Sequence, residues 1–180
     1  MIAQFKRVVT AVDEKGKSVV AEETALEPVE VELMPGYGVY PVWGYDQIPP
    51  VPVEAPSPVH GPFFPAPSGS RFGIIRIPPV STATPTEIDE ARLGAMMAEC
   101  EEKLPGLVGA LEPDGSGMHT TQTVDYDIVL AGELYLQLDD GAEVRVPAGT
   151  CVVQNGTRHA WQNRGDISAY LAYVLIGAPS

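Results

Sequence analysis

The last third of the chain is divided into short strand-like segments by closely spaced turn residues. From residue 117 onward, runs rich in Val, Leu, Ile and Tyr alternate with Gly, Asp and Asn. Short strands separated by such turns are typical of an antiparallel sandwich or barrel. The final run, AYLAYVLI, is apolar on both faces, so we expect a central and buried strand there. The predicted strands are residues 125–130, 133–138, 143–146, 150–154, 160–163 and 168–176.

The N-terminal half predicts additional strands and one long loop. Residues 5–22 have the pattern of a hairpin whose turn lies at residues 13–16. Residues 31–46 predict one or two more strands, and residues 71–77 return to a strand pattern. Between them, residues 48–70 are rich in proline and lack periodicity, which predicts an extended loop draped over the barrel.

The predicted helix spans residues 85–104. Thr84 is the expected N-cap, Pro85 would occupy the first helical position, and Glu87 would complete a capping box. Two interpretations stay open at this point: the helix is a lid over a pocket, or it packs on the outside of the barrel or at a dimer contact. Its apolar stripe at helical spacing consists of Ile88, Leu93, Met96, Met97, Cys100 and Leu104.

Length and charge narrow the class of protein. The 180 residues suit one domain, in which residues 1–70 pack on a barrel formed by residues 71–180. The net charge of −13 argues against nucleic acid as a partner. No apolar run approaches the ~20 residues of a membrane span or forms a signal peptide, so we expect no membrane partner and a cytoplasmic location. The two cysteines, Cys100 and Cys151, match no metal-binding spacing and are expected to be free thiols.

Polar residues in the predicted strands share faces that could turn inward together. His119 and Thr121 lie two residues apart, and so do His159 and Trp161, so each pair shares one face of a strand. Two imidazoles and a carboxylate are the ligand set of a facial triad for Fe(II) or a similar ion. Without a metal, the same groups form a general acid–base pair whose aspartate fixes a histidine tautomer. If the sheet closes, the polar cluster comprises His119, Thr121, Asp125, Asp127 and His159.

The stretch from residue 117 to 163 resembles the two-motif core of a cupin. The first cupin motif ends H-x-H-x3/4-E-x6-G. His119 matches its first histidine, Thr121 stands at the second, Asp125 stands at the glutamate, and Gly132 follows after six residues. The resemblance therefore includes a degenerate metal-binding motif, in which two of the four usual ligands are replaced.

The second cupin motif, G-x5-P-x-G-x2-H-x3-N, is also recognisable. Gly149 opens it one residue short, Gln154 replaces the proline, and Gly156, His159 and Asn163 match. With the flanking strands, the chain is similar to small single-domain cupins of bacteria and fungi, some of which are assigned to polyketide-type biosynthetic clusters. The resemblance implies an all-β cupin-type double-stranded β-helix, or jelly-roll barrel, with an N-terminal strand extension and one short helix.

The resemblance also implies a small molecule bound inside the barrel. The first hypothesis is an enzyme of small-molecule metabolism, a lyase, dehydratase, isomerase or oxygenase, with His119, Asp125 and His159 as catalytic residues. The same three residues would hold a divalent Fe, Mn, Ni or Zn, and no organic cofactor is expected. The second hypothesis is a non-catalytic ligand-binding cupin without metal. A homodimer is expected, and the predicted pocket lining is Thr121, Asp127, Val129, Trp161 and Arg71.

Arg71 is included in the lining because it could supply a cation to an acidic substrate. His60, in the proline-rich loop, has two interpretations: a surface residue, or a residue at the mouth of the pocket.

Overall fold

The computed structural model describes residues 4–54, 56–82 and 88–179, and most of its elements are strands. Short runs of β-branched and aromatic residues form these strands, and Gly, Asp and Asn occupy the turns between them. Two helices follow one another in the middle of the chain, α1 at Glu90–Lys103 and α2 at Leu107–Ala110. The strands are β1 Phe5–Val12, β2 Ser18–Leu26, β3 Gly38–Tyr45, β4 Ser70–Ile77, β5 Thr123–Ala131, β6 Glu133–Gln137, β7 Glu143–Pro147, β8 Cys151–Asn155, β9 Ala160–Gln162 and β10 Ala169–Gly177.

The strands from β3 onward form two sheets in jelly-roll order. One sheet has the order β3-β4-β10-β5-β8 and the other has the order β7-β6-β9. All pairings are antiparallel, and the chain passes from one sheet to the other between β5 and β6, β7 and β8, β8 and β9, and β9 and β10. A bridge between His119 and His159 extends the smaller sheet next to β9. The prediction of an all-β jelly-roll barrel of the cupin type is therefore confirmed.

Strand β10 lies in the centre of the larger sheet, as predicted, between β4 and β5. Its odd-numbered residues are buried between the sheets, whereas its even-numbered residues are half-buried on the outer face. The residues of β10 are thus apolar on both faces because one face packs in the interior between the sheets and the other lies on a partly covered outer surface. The main core between the sheets consists of Ile77, Val129, Leu134, Leu136, Val146, Ala169 and Leu171.

The predicted hairpin is confirmed and forms a separate two-stranded sheet, β1-β2. Gly16 N–H donates to the Asp13 carbonyl at its turn, over 2.8 Å. The ring of Phe5 packs edge-on against Tyr40 and Tyr170, at centroid distances of 5.0 and 5.6 Å. A two-stranded hairpin is marginal alone, so these contacts with the outer face of the barrel stabilise it.

The helix begins later than predicted. Its N-cap is Asp89, whose carboxylate accepts the Arg92 N–H over 2.7 Å, and the first helical residue is Glu90. The predicted cap at Thr84, with Pro85 and Glu87, lies outside the described residues. Helix α1 packs through Cys100 and the following Leu104 against the N-terminal segment near Val31 and Val39.

The predicted apolar stripe is correct only in part, because Leu93 and Met97 are exposed by 40% and 41%. Neither helix is long and apolar enough to cross a membrane, within the residues that the structure describes.

Candidate functional site

A cavity of about 140 Å³ lies between the two sheets, and four of the five predicted polar residues, all except Thr121, converge on it. Strand β5 of the larger sheet contributes Asp125 and Asp127, whereas His119 and His159 come from the opposite side. Most of the remaining wall is apolar, so the polar groups are concentrated at one end of an otherwise apolar cavity. The apolar lining includes Met34, Tyr37, Phe63, Phe64, Ile75, Ile77, Leu107, Leu111, Trp161, Leu171, Tyr173 and Leu175.

The two histidines meet because their backbones pair directly. His119 N–H donates to the His159 carbonyl over 2.9 Å, and His159 N–H donates to the His119 carbonyl over 3.0 Å. Directly paired antiparallel residues carry their side chains on the same face. The imidazole centroids are accordingly 4.2 Å apart, so two residues 40 positions apart in sequence share one cavity.

Backbone carbonyls fix the tautomer of both imidazoles. Nδ1 of His119 lies 3.0 Å from the carbonyl of Gly117, and Nδ1 of His159 lies 2.9 Å from the carbonyl of Thr157. A carbonyl only accepts, so each Nδ1 carries the proton and each Nε2 carries a lone pair. In its neutral form, each histidine therefore offers Nε2 as a hydrogen-bond acceptor, a base or a metal ligand.

Gln154 positions His159 through a shared acceptor. Its side-chain amide donates to the carbonyl of Thr157 over 3.0 Å and contacts the Thr157 hydroxyl at 2.6 Å. The same carbonyl accepts the His159 Nδ1 proton. Gln154 stands where the cupin motif has proline, and its role here is to hold the turn that orients the imidazole.

Two buried carboxylates face the same cavity from β5. Asp125 is 5% exposed and Asp127 is 6% exposed, and alternation along the strand places them on one face. Burial raises the pKa of Asp125, while a hydrogen bond from Thr123 and the charge of His119 act in the opposite direction. Burial, and then repulsion from Asp125, raise the pKa of Asp127 to about 7.

His159 is held neutral by its surroundings. Burial first, and then the neighbouring His119, lower its pKa to about 4, although the Thr157 hydrogen bond opposes this. The site thus combines an aspartate that keeps a proton near neutral pH with an imidazole that lacks one. Opposite shifts of this kind mark candidate acid–base pairs.

The other predicted pocket residues are placed differently. Trp161 lines the cavity, edge-on to His159 at 6.2 Å. Val129 is 1% exposed and belongs to the main core. Thr121 is buried with its hydroxyl 2.8 Å from that of Thr123, and neither hydroxyl lies on the cavity wall.

Arg71 lies outside the histidine cavity, so the structure contradicts its assignment as a cation for the substrate. The sequence placed it correctly on a strand but did not reveal its acceptors. All five of its N–H donors are used, over 2.7 to 3.1 Å, by the carbonyls of Tyr45, Gly61, Pro62 and Ser70 and the carboxylate of Asp46.

The donors suit a divalent metal chemically, but the side chains are not gathered around one point. Two Nε2 lone pairs and the Oδ1 of Asp125, a buried oxygen without a hydrogen-bond partner, are atoms that Fe, Mn, Ni or Zn accepts. Across residues 4–54, 56–82 and 88–179, however, no three His, Cys, Asp or Glu side chains are close enough to hold an ion. The predicted triad of His119, Asp125 and His159 is therefore not a preformed metal site.

Sequence reasoning missed the apolar end of the cavity. Phe63 and Phe64 pack edge-on at 4.9 Å and come from the proline-rich loop. The adjacent aromatic pair in a proline-rich stretch was the available signal, since loops rarely carry two large apolar residues without a place to bury them. Leu107 of α2 and the nearby Leu111 also line the cavity, so α2, and not α1, closes this side.

Comparisons with known proteins give short sequence matches. No protein-family model matches the chain. Over 55 residues it is 44% identical to Phomopsin biosynthesis cluster protein C' of Diaporthe leptostromiformis, covering 30% of this chain and 29% of that protein. Over 45 residues it is 42% identical to Oryzines biosynthesis cluster protein J of Aspergillus oryzae, covering 25% of each. The matches span less than a third of these relatives' length.

Similar folds occur among solved structures at low sequence identity. The chain is similar to the hydroxypropylphosphonic acid epoxidase of S. wedmorenis with a TM-score of 0.41 and 13% identity, over 77% of this chain and 50% of that one. It is also similar to the cupin-2 domain of an XRE family transcriptional regulator from Enterobacter cloacae, with a TM-score of 0.34 and 17% identity, over 62% and 83% of the two chains.

Proposed function

We propose that the protein is a small-molecule enzyme that transfers protons inside the barrel. The observation that carries the proposal is that Asp127, whose pKa is raised to about 7, and the neutral imidazole of His159 face one end of the same apolar cavity. General acid–base catalysis works best when the pKa of the group lies near the working pH. Lyase, dehydratase and isomerase reactions all depend on such transfers, so they are the reaction classes we favour.

Asp127 is the proton-transferring residue in this proposal. Its pKa of about 7 lets it exist in both protonation states at neutral pH. Sequence reasoning had placed Asp127 only in the pocket lining, and had given the catalytic roles to His119, His159 and Asp125. In the revised assignment, Asp125 holds the pKa of Asp127 up by repulsion, and the Nε2 atoms accept hydrogen bonds from the substrate.

The apolar wall strengthens this chemistry. Water-poor surroundings increase the strength of every electrostatic interaction within the cavity. Trp161, Phe64 and Leu171 belong to this wall, so a substrate with an apolar body would displace water from the carboxyl groups. The short matches to proteins of two fungal biosynthesis clusters support a role in small-molecule metabolism.

The proposal is tested with 5-nitrobenzisoxazole, a compact aromatic whose ring opens when a base removes a single C–H proton. We expect the protein to accelerate this opening above buffer, with a rate that increases with pH through the Asp127 pKa near 7. Asp127→Asn should lower the rate by at least tenfold, whereas Asp166→Asn, at an exposed position, should leave it unchanged. Equal rates for Asp127→Asn and wild type would refute the role of Asp127.

A divalent metal is a second candidate, and the unpartnered Oδ1 of Asp125 favours it. If side chains shift on binding, His119, His159 and Asp125 would hold the ion, which would supply a Lewis acid at the polar end of the cavity. Elemental analysis of the purified protein tests this directly. Stoichiometric Fe, Mn, Ni or Zn in the wild type and its loss in His119→Ala would support the metal; equal content in both would reject this site.

The alternative to an enzyme is a non-catalytic protein that binds a small ligand in the cavity. It predicts that the cavity binds the benzisoxazole without opening its ring faster than buffer. Measuring binding and turnover on the same sample separates the two outcomes.

A further inference from the structure

A second cavity, of about 200 Å³, lies beside the histidine cavity. Its walls come from the N-terminal segment, from β3 and β4, from the end of α1 and from the proline-rich loop. It lies toward the β3 edge of the larger sheet, where Trp43, Arg71 and Phe72 contribute to its wall. It also includes His60, which sequence reasoning left open between a surface residue and a pocket mouth.

Phe63 and Tyr173 line both cavities. Their rings are tilted against each other at a centroid distance of 5.9 Å and form a shared wall. Tyr173 is anchored on the central strand β10, whereas Phe63 belongs to the loop and has a backbone hydrogen bond to Pro105 over 2.8 Å. The shared wall thus joins a ring on the central strand to a ring on the loop.

Gly73 explains how Tyr173 reaches the second cavity. In the sheet register Tyr173 lies between Asp127 on β5 and Gly73 on β4. A Cβ atom at position 73 would lie 2.3 Å from the Tyr173 hydroxyl oxygen, so the phenol lies directly over the glycine. The Tyr173 ring thus extends from beside the proton-transferring carboxylate to the second cavity.

The cations around the second cavity are already engaged. Arg71 uses all five donors within the protein. Lys103 donates to the Glu99 carboxylate over 2.6 Å and to the Glu30 carbonyl over 3.1 Å. Free charge is thus not offered to a ligand by these two residues, and the remaining walls are largely apolar, among them Val29, Val39, Val59 and Leu104.

We infer that the two cavities form one binding site for an elongated, mostly apolar molecule with a single hydroxyl-type polar end. The polar end lies at the carboxylates and imidazoles, a placement that rests on the function proposed above, and the apolar tail passes Phe63 into the second cavity. Small-molecule sites usually enclose roughly 300 Å³ or more, a size that neither cavity reaches alone and that both together reach.

The inference is tested by calorimetric binding of 1-butanol, 1-hexanol, 1-octanol and 1-decanol. A hydroxyl group can both donate and accept hydrogen bonds at the polar end of the histidine cavity, where His119, His159 and Asp127 lie, so each alcohol is anchored alike. In the wild type, affinity should increase about fourfold per added CH₂ up to decanol. Val59→Trp, which fills only the second cavity, should abolish the gain beyond hexanol without changing butanol binding.

Phe63→Ala is the complementary variant, because it opens the shared wall. It should keep the increase in affinity up to decanol and should speed the binding of the longest alcohol. Two results would overturn the inference. One is a decanol affinity that Val59→Trp leaves unchanged; the other is an affinity that stops increasing at hexanol in both the wild type and Phe63→Ala. Thermal melting of each variant confirms that it is folded.

The outcome is independent of the proposed chemistry. Asp127→Asn should lose benzisoxazole opening yet retain the dependence of affinity on chain length. If affinity increases with chain length but the benzisoxazole is not opened, the extended site is supported and the catalytic proposal is refuted. If the benzisoxazole is opened but affinity does not increase with chain length, the catalytic proposal is supported and the extended site is refuted.

Discussion

At the scale of single residues, burial of Asp127 makes the stability of the protein depend on pH. Its pKa of about 7, against an ordinary value of 3.8, means that the folded state holds the proton more tightly than the unfolded state. Its contribution to stability is therefore present below pH ~4 and is lost as the pH rises through 7.

Asp127→Asn should remove this dependence, because the amide is neutral at every pH. Relative to wild type, the variant should gain up to ~4 kcal/mol in unfolding free energy between pH 4 and pH 8. Urea unfolding at both pH values measures the change, and Asp166→Asn is the exposed control. A constant difference between variant and wild type across this range would contradict the burial of Asp127.

His159 should produce the opposite dependence. Its pKa is lowered to about 4 from 6.5, so the unfolded state binds the proton more tightly and stability is lost as the pH falls from 6.5 to 4. His159→Asn keeps a donor near the position of Nδ1 but cannot titrate. Between pH 4 and 6.5, the wild type should gain up to ~3 kcal/mol relative to the variant, which denaturation at pH 4, 5 and 6.5 measures. If the unfolding free energies of wild type and variant changed in parallel with pH, a desolvated His159 imidazole would be excluded.

The sequence predicted which residues lie close together in the cavity, but not how this proximity changes their pKa values or which hydrogen bonds they form. The spacing of His119 and His159 within two recognisable motifs placed both rings in one interior, because the motif turns fix the strand pairing. The raised pKa of Asp127 depends first on its burial, which packing against β10 and the opposite sheet creates and no local pattern specifies. Arg71 was misassigned for the same reason, since most of its acceptors lie on other segments: the carbonyls of Gly61 and Pro62 in the loop, and Tyr45 and Asp46 at the end of β3.

At the scale of elements, regular strands were predictable and the helix start was not. Strand periodicity and turn residues determined β5 to β10, because alternation directly reflects burial between two sheets. Thr84 is the N-cap predicted from the sequence, but aspartate is an equally good N-cap residue, so propensity alone does not separate position 84 from position 89. The Asp89 carboxylate caps the helix through Arg92 N–H, which places the start at Glu90.

The proline-rich loop has no periodic pattern, and Arg71 holds it in place. Lysine carries three donors against the five of arginine, so Arg71→Lys should leave at least two of the five acceptors without their present donor. We expect it to destabilise the protein by roughly 2–4 kcal/mol, at ~1–2 kcal/mol for each of two part-buried groups that lose their donor. Urea unfolding measures the loss, and Arg145→Lys, in an exposed ion pair with Glu133, should change stability by less than ~1 kcal/mol. Similar losses in the two variants would show that Arg71 does not anchor the loop.

At the scale of the whole molecule, the outer face of the larger sheet is unusually apolar. Direct neighbours across the strands, such as Phe72, Val174, Tyr126 and Val153, form one row on this face. Large apolar surface patches on a protein usually mark interaction sites. The exposed members of the face are Phe72, Tyr126, Ile128, Leu130 and Val153, with exposures of 41%, 53%, 36%, 39% and 58%.

We propose that a second copy of the chain covers this face and forms the homodimer that the fold resemblance implied. The five exposed side chains carry no charge although the chain carries −13, so two copies approach through their least repulsive surfaces. A face that pairs with itself about a two-fold axis satisfies both copies at once. Because the two chains repel elsewhere, salt should strengthen the dimer by screening.

Light scattering coupled to size exclusion tests the dimer at 20 and 200 mM salt. The wild type should have the mass of a dimer, with a larger dimeric fraction at the higher salt. Tyr126→Glu combined with Val153→Glu should yield a monomer, because each copy would then bury two adjacent negative charges without partners. Val144→Lys adds one charge at an equally exposed residue, 52% accessible, on the smaller sheet and should remain dimeric. A monomeric wild type, or a dimer that survives the double substitution, would remove this face from the interface.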